Sequence, residues 1–480
     1  MDFESSGLSR EEIRKRRRKK ERMQAIVILA FVILVIALVI GAVVFVLVRV
    51  FSGPDKKTES AQVDAVATES VVSETQESAL PEPEEVQEED GTGEAVEPET
   101  ESVDIEESDE DAVEEQEEVD VMPGLFDEQD NEALEELVSQ KLSSMTLEQK
   151  IAELFFVKPN QLLGNESDVT IVGSEFGEKI KTYPVGGILL DDSNMSADAD
   201  FTALISNIQT YSSEDIFVGI AHDGGETSPL ITGGLTENVI SSYQEIGETL
   251  GTSGAYSAGI SSGGMLKEYD INVNFAPNVD VSLTQGSVAQ KEGFGADMET
   301  TAELGKNYIK GLSDQGIFTA VKHFPSYGDV TQDGDGGQVV SQRTKEDLAG
   351  EYAPYIEAID AGADFVVVSH VSLPQVRGDK RPASLSKEVI TDIIRTEWEY
   401  DGIVITDFMN KSCMYQKYTY AEAAVGAIEA GADMILAPKN FLKSYNGILD
   451  AVNDGTLTEE RIDESVRRIY RVKYESRVTN

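Results

Sequence analysis

Between residues 124 and 480, short apolar runs alternate with segments of helical spacing, and the alternation repeats eight times. The apolar runs are 154–157, 187–190, 216–221, 273–277, 319–324, 365–370, 402–407 and 434–438. They are too short for helices and suit buried strands. Helical patterns run through 300–316, 352–362, 387–398 and 421–431, and Gly362 and Gly431 stand where helix C-caps belong. Strands that alternate with helices make a parallel sheet, and eight such units predict closure into a (β/α)8 TIM-type barrel, an α/β fold. The region also has the length of a decorated barrel.

What precedes the barrel is of a different kind. Residues 25–48 contain no charged side chain. As a helix they extend roughly 36 Å, enough to cross a hydrocarbon core of about 30 Å. Nine basic residues lie between Arg10 and Arg22, and only Arg49, Lys56 and Lys57 follow closely. This asymmetry predicts a basic cytoplasmic segment over 1–24, a single membrane span over 25–48, and the remainder outside the cell membrane. A cleaved signal peptide is the alternative, but the run exceeds an ordinary signal core and lacks a clear small-residue cleavage site. From 52 to 123 there are 27 Asp and Glu against two Lys. Residues 49–123 therefore read as a disordered, self-repelling acidic linker of up to roughly 250 Å contour length.

The 480-residue chain carries a net charge of −50, and about −30 of it belongs to the barrel region. That sign excludes nucleic acid as an expected partner. One cysteine, Cys413, rules out an intrachain disulfide, and three histidines do not suggest a metal cluster. No Walker, dinucleotide or Ser-His-Asp pattern is present, so neither a cofactor nor a metal is expected.

Chemistry concentrates at the strand ends, where barrels build their sites. The run 321–337, VKHFPSYGDVTQDGDGG, passes from a strand through Lys322 and His323 into a loop carrying Asp329, Asp333 and Asp335, spaced so that they could converge. A solvated acidic turn or a casual cation site is the plainer reading of that loop alone. His222 and Asp223, Asn274, Ser369 and His370, and Thr406 and Asp407 close or occupy other strands. Asp407 ends GIVITD, where an ionised carboxylate is costly unless it faces the barrel mouth. A carboxylate there can attack an anomeric carbon while a second carboxyl, from the Asp333/Asp335 loop, protonates the leaving oxygen. Two carboxyls about 5–5.5 Å apart would make a retaining glycosidase.

These motifs resemble glycoside hydrolase family 3, and within it the single-barrel bacterial β-N-acetylhexosaminidases. The likeness runs collinearly through SSMTLEQKIAELFFV (143–157), YPVGGILL (183–190), NVNFAPNVDV (272–281), KHFPSYGD (322–329), VVSHV (367–371), RPASLSKEVITDIIR (381–395), GIVITDFM (402–409) and ERIDESVRRIYRVKY (460–474). The resemblance implies that Asp407 is the nucleophile and that Lys322 and His323, with Asp223 and His370 beside them, contact the sugar. A carbohydrate, such as a cell-wall glycan, is the implied substrate, and the membrane is reached through the N-terminal span.

The chain departs from the family at several of these positions. Where the hexosaminidases have KHFPGHGD and then Asp-Ser-His, this chain has Ser326 and Tyr327, and then Asp333, Gly334 and Asp335. The orienting Asp survives as Asp333, while the acid/base His is replaced by Asp335. Ala221 replaces an Asp, Glu292 a binding Arg, Pro229 aligns with another Arg, and Phe408 replaces the Asp after the nucleophile. Two expectations result: a membrane-anchored, extracytoplasmic retaining glycosidase, or a catalytically impaired barrel that binds glycans or a cell-envelope partner.

Overall fold

The computed structural model describes residues 128–212 and 216–478. The basic segment, the apolar run and the acidic linker all lie outside them. Among the described residues, no helix is long and apolar enough to cross a membrane.

All eight expected strands form. They are β1 (Phe155–Val157), β2 (Gly187–Leu189), β3 (Phe217–Ile220), β4 (Val273–Asn274), β5 (Phe318–Phe324), β6 (Phe365–Val368), β7 (Ile403–Thr406) and β8 (Ile435–Leu436). Every pairing is parallel, and the spatial order β7-β6-β5-β4-β3-β2-β1-β8 follows the chain around a ring. A parallel bridge between Ile405 and Met434 closes the ring from β7 to the segment leading into β8. The strands are buried and mostly apolar on both faces, as suits parallel strands sheathed by helices, with polar residues such as Asn274, Lys322 and Thr406 toward their ends. The expected helices appear as Met298–Asp314, Ala353–Asp360 and Tyr420–Ala430, and the left-handed Gly431 caps the last. The fourth, Glu388–Glu397, is wound more widely as a π-helix, in which the Trp398 N–H reaches back to the Ile393 carbonyl.

The barrel interior is filled with aromatic rings. Phe156 of β1 stacks parallel to Phe217 of β3 at 6.3 Å and meets Phe275 edge-on at 5.1 Å. Phe217 in turn meets Phe365 of β6 at 5.2 Å. Two strand glycines make room: a Cβ on Gly187 would lie 2.6 Å from the Phe156 ring, and one on Gly219 2.7 Å from it. These phenylalanines are buried to 1% exposure or less. The core is therefore packed rather than a pore, and chemistry is left to the strand ends.

Ionic groups close the end of the barrel where the strands begin. Asp433, fully buried before β8, is held by Arg395, Arg461 and Arg468, while Glu153, before β1, pairs with Lys473 and accepts from Tyr470. Glu135 of the first helix, Glu128–Ser144, pairs with Arg467 and Arg471 of the last helix, Glu459–Val478. Replacing Phe156 by Ala should cost about 3–5 kcal/mol of unfolding free energy, the usual consequence of emptying an aromatic core site. The fluorescence of the single, buried Trp398 reports that loss directly in a guanidinium titration.

Candidate active site

The site forms where β4, β5, β6 and β7 end. Beyond β4 the chain runs alongside β5: the Val279 N–H donates to the Lys322 carbonyl at 2.8 Å, and Lys322 donates to Pro277 at 3.1 Å. This register sets Asp280 beside His323. Asp280 is fully buried and accepts from the His323 N–H (2.9 Å), the His323 ring Nδ1 (3.1 Å) and the Tyr355 hydroxyl (2.8 Å). Lys322 pairs with Asp223 at 2.7 Å, and the Tyr243 hydroxyl donates to the same carboxylate at 2.9 Å. The expected sugar contacts Lys322, His323 and Asp223 thus share one wall of the mouth.

Asp407 sits at the end of β7 with 1% of its surface exposed. Its Oδ2 accepts from the Tyr327 hydroxyl at 2.8 Å and from the Lys411 ammonium at 3.0 Å, and its Oδ1 accepts from the Phe408 N–H at 2.7 Å. Burial opposes ionisation, but the Lys411 ammonium foremost, with the Phe408 N–H, helps to outweigh it, and the carboxyl lies well below the usual range. Asp407 is therefore ionised. Burial and Asp407 together push the Tyr327 phenol far up, so Tyr327 remains a donor.

The loop between β5 and β6 spreads its carboxylates apart, contrary to the convergence that their spacing allowed. Asp329 turns to Arg343 (3.2 Å) and the Ser341 hydroxyl (2.6 Å), because Arg343 is buried there and also holds Glu351 and the Ser326 carbonyl. Asp333 faces the mouth, paired with Lys411 at 3.1 Å; burial raises its pKa, but Lys411 more than reverses that and lowers it. The Asp335 side chain is exposed, and its backbone carbonyl accepts from the Ser412 hydroxyl.

His370 and His222 are struts. His370 is buried, with Nε2 3.1 Å from the Phe408 carbonyl and Nδ1 2.7 Å from the Ser384 hydroxyl. A carbonyl only accepts, so Nε2 carries the proton and Nδ1 accepts. Burial lowers the pKa of this ring to about 4, and His370 thereby fixes the turn that follows Asp407. His222 is buried against Ser228 and likewise lowered to about 4. Asn274 bonds the His222 backbone and Ser262. Glu292, at the end of the helix Val288–Glu292, senses Lys322, His323, Asp223 and Asp280; burial raises its carboxyl, and His323 and Lys322 pull it back only in part.

Three contributors escape sequence reasoning. Asp280 carried a signal, since it closes the NVNFAPNVDV run. Lys411 follows Asp407 by four residues, a spacing that pairs on a helix, but here the pairing spans a turn. Tyr327 was visible as a replacement, whereas its contact with Asp407 comes from a position 80 residues away.

Both buried imidazoles are neutral in the fold, so acid stability should depend on them. Their folded pKa values lie below the ordinary 6.5, so their contribution is intact above pH 6.5 and fades as pH falls toward 4, where the unfolded chain takes up protons that the fold refuses. Each is worth about 3 kcal/mol over that interval. Urea unfolding at pH 7 and pH 4.5 should show a smaller acid loss in His370→Gln than in wild type; identical losses would mean that the folded imidazole is charged.

The comparisons with known proteins agree with the barrel fold. Residues 146–472 match the Glycosyl hydrolase family 3 N terminal domain. A β-hexosaminidase A from Pseudoalteromonas piscicida is 26% identical over 340 residues, covering 64% of this chain and 56% of the relative. The β-hexosaminidase LpqI of Mycobacterium tuberculosis is 27% identical over 307 residues, 61% of this chain and 77% of the relative. A solved family 3 β-N-acetylglucosaminidase from Paenibacillus sp. str. FPU-7 superposes with a TM-score of 0.64 at 30% identity, covering 70% of this chain and 64% of that one. The chain thus spans little more than half the length of the first of these relatives. With the eight-stranded barrel and an ionised carboxylate at the end of β7, the match makes this chain a member of glycosyl hydrolase family 3.

Proposed function

We propose that the chain is a β-N-acetylhexosaminidase-like glycoside hydrolase, anchored in a membrane through residues 25–48, with its barrel held outside the cell by the acidic linker. The observation that carries this reading is Asp407: an ionised carboxylate at the end of β7, beside the Lys322–Asp223 pair and His323. Lys322 and Asp223 offer a donor and an acceptor for sugar hydroxyls. His323, oriented by Asp280, offers a ring edge. The names of the relatives, β-hexosaminidases and a β-N-acetylglucosaminidase, support a β-linked amino sugar as substrate. The charge asymmetry about residues 25–48 supports the anchor.

In the retaining reaction, an Asp407 oxygen bonds to the anomeric carbon as the glycosidic C–O bond breaks. The leaving oxygen takes the proton of Asp335 on the loop. The Asp335 carboxylate then removes a proton from water, whose oxygen displaces Asp407 and releases the sugar. Asp333 steadies that loop through Lys411.

A second reading, a glycan-binding barrel with impaired catalysis, is favoured by one arrangement. Asp407 has both oxygens engaged by protein donors, while Asp335, the replacement for the family's acid/base histidine, is exposed. Aryl β-glycosides separate the two readings, because an activated leaving group needs little acid assistance. Turnover of an N-acetylglucosaminide, glucoside or xyloside should fall by at least about a thousandfold in Asp407→Asn with the unfolding midpoint nearly unchanged. Hydrolysis that persists in that variant excludes Asp407 from the mechanism, and a silent but sugar-binding wild type establishes the second reading.

A further inference from the structure

Lys411 is in contact with both the candidate nucleophile and the loop opposite. Its ammonium has three N–H donors, and three oxygens of the site lie around it: Asp407 Oδ2 at 3.0 Å, Asp333 Oδ2 at 3.1 Å and the Asp333 carbonyl at 3.2 Å. The face of Tyr327 lies 5.5 Å away, and 12% of the side chain is exposed. None of its protons is left for a substrate. The two residues that follow continue the grip: the Ser412 hydroxyl donates to the Asp335 carbonyl, and the Cys413 N–H donates to the Gly334 carbonyl at 3.0 Å. Residues 411–413 thus hold 333–335, and Gly334, at φ +105°, supplies a backbone shape that other residues resist.

We propose that Lys411 is a built-in brake on glycoside cleavage: its ammonium neutralises Asp407 where the sugar must develop positive charge, and it clamps the Asp333–Asp335 loop shut over the nucleophile. The inference rests on Asp407 being the nucleophile. Cleavage passes through an oxocarbenium-like transition state, which a bare carboxylate stabilises. An ammonium about 3 Å from that carboxylate already takes up its field, and it also repels the cation forming beside it. Binding of the neutral ground-state sugar through Lys322, Asp223 and His323 is affected little, so the brake acts on kcat rather than on KM. The expected suppression is on the order of tenfold to a hundredfold. Sequence alone shows a lysine four residues after an aspartate; only the turn fixed by His370 and Phe408 aims it back.

The test uses the full-length chain in detergent micelles with 2,4-dinitrophenyl β-glycosides. Lys411→Gln keeps a neutral donor beside Asp407, and Lys411→Met keeps the length of the stem; Trp398 fluorescence checks that each is folded. The expected result is a kcat at least about tenfold above wild type with KM within about threefold, reversed in Lys411→Arg and abolished when Asp407→Asn is added. Wild-type turnover that Asp407→Asn removes but neither neutral variant accelerates overturns the brake and leaves the hydrolase reading standing. Silence of wild type and both variants removes the hydrolase reading and the brake with it. If neither neutral variant folds, Lys411 is a structural counter-ion and the brake is overturned.

Discussion

A buried carboxylate must be neutralised or protonated, and the mouth of this barrel is built around the first solution at Asp407. With almost no solvent contact, the carboxylate takes donors from three places: the Tyr327 hydroxyl from the loop after β5, the Phe408 N–H from its own strand end, and the Lys411 ammonium from the turn beyond. Each donor is held in turn by a partner further out. His370 accepts from Ser384 and donates to the Phe408 carbonyl, and the Tyr327 N–H lies 3.3 Å from an oxygen of Asp280. The low local dielectric makes every one of these contacts strong and the loss of any one costly.

The two ends of the barrel use charge differently. Where the strands begin, Asp433 and Glu153 are enclosed by arginines, a lysine and a tyrosine that belong to helices, and the last helix is thereby tied to the ring and to the first helix. Removing one partner there strands a buried charge, so this end serves stability. Where the strands end, buried Asp407 and Asp280 stand beside two carboxylates on loops, Asp223 and Asp333, that retain more than a third of their side-chain surface. This end can exchange an internal contact for one to a ligand. The two roles divide as the architecture of parallel barrels leads one to expect.

A strand's apolar character and a helix's spacing are local properties, so all eight strands and the four helices named from their spacing were legible in the order of residues. The strand ends could be read as well, since a polar residue terminating an apolar run must face the mouth or find a partner. Asp407, Lys322, His323 and Asp223 were named on that ground and stand together at the mouth. Asp329 and Asp335 could not be placed in the same way. Their loop has no period, and its course is decided by Arg343 on one side and by residues 411–413 on the other.

The sequence by itself determined the barrel, its family and the strand that carries the candidate nucleophile, because hydrophobic period and collinear motifs survive without knowledge of contacts. The tertiary structure alone decided what surrounds that carboxylate. Tyr327 reaches Asp407 across 80 residues, Asp280 reaches His323 across 43, and Lys411 crosses the mouth to Asp333 across 78. Pairings over such separations depend on where closure of the ring places each strand end, and no local pattern encodes them.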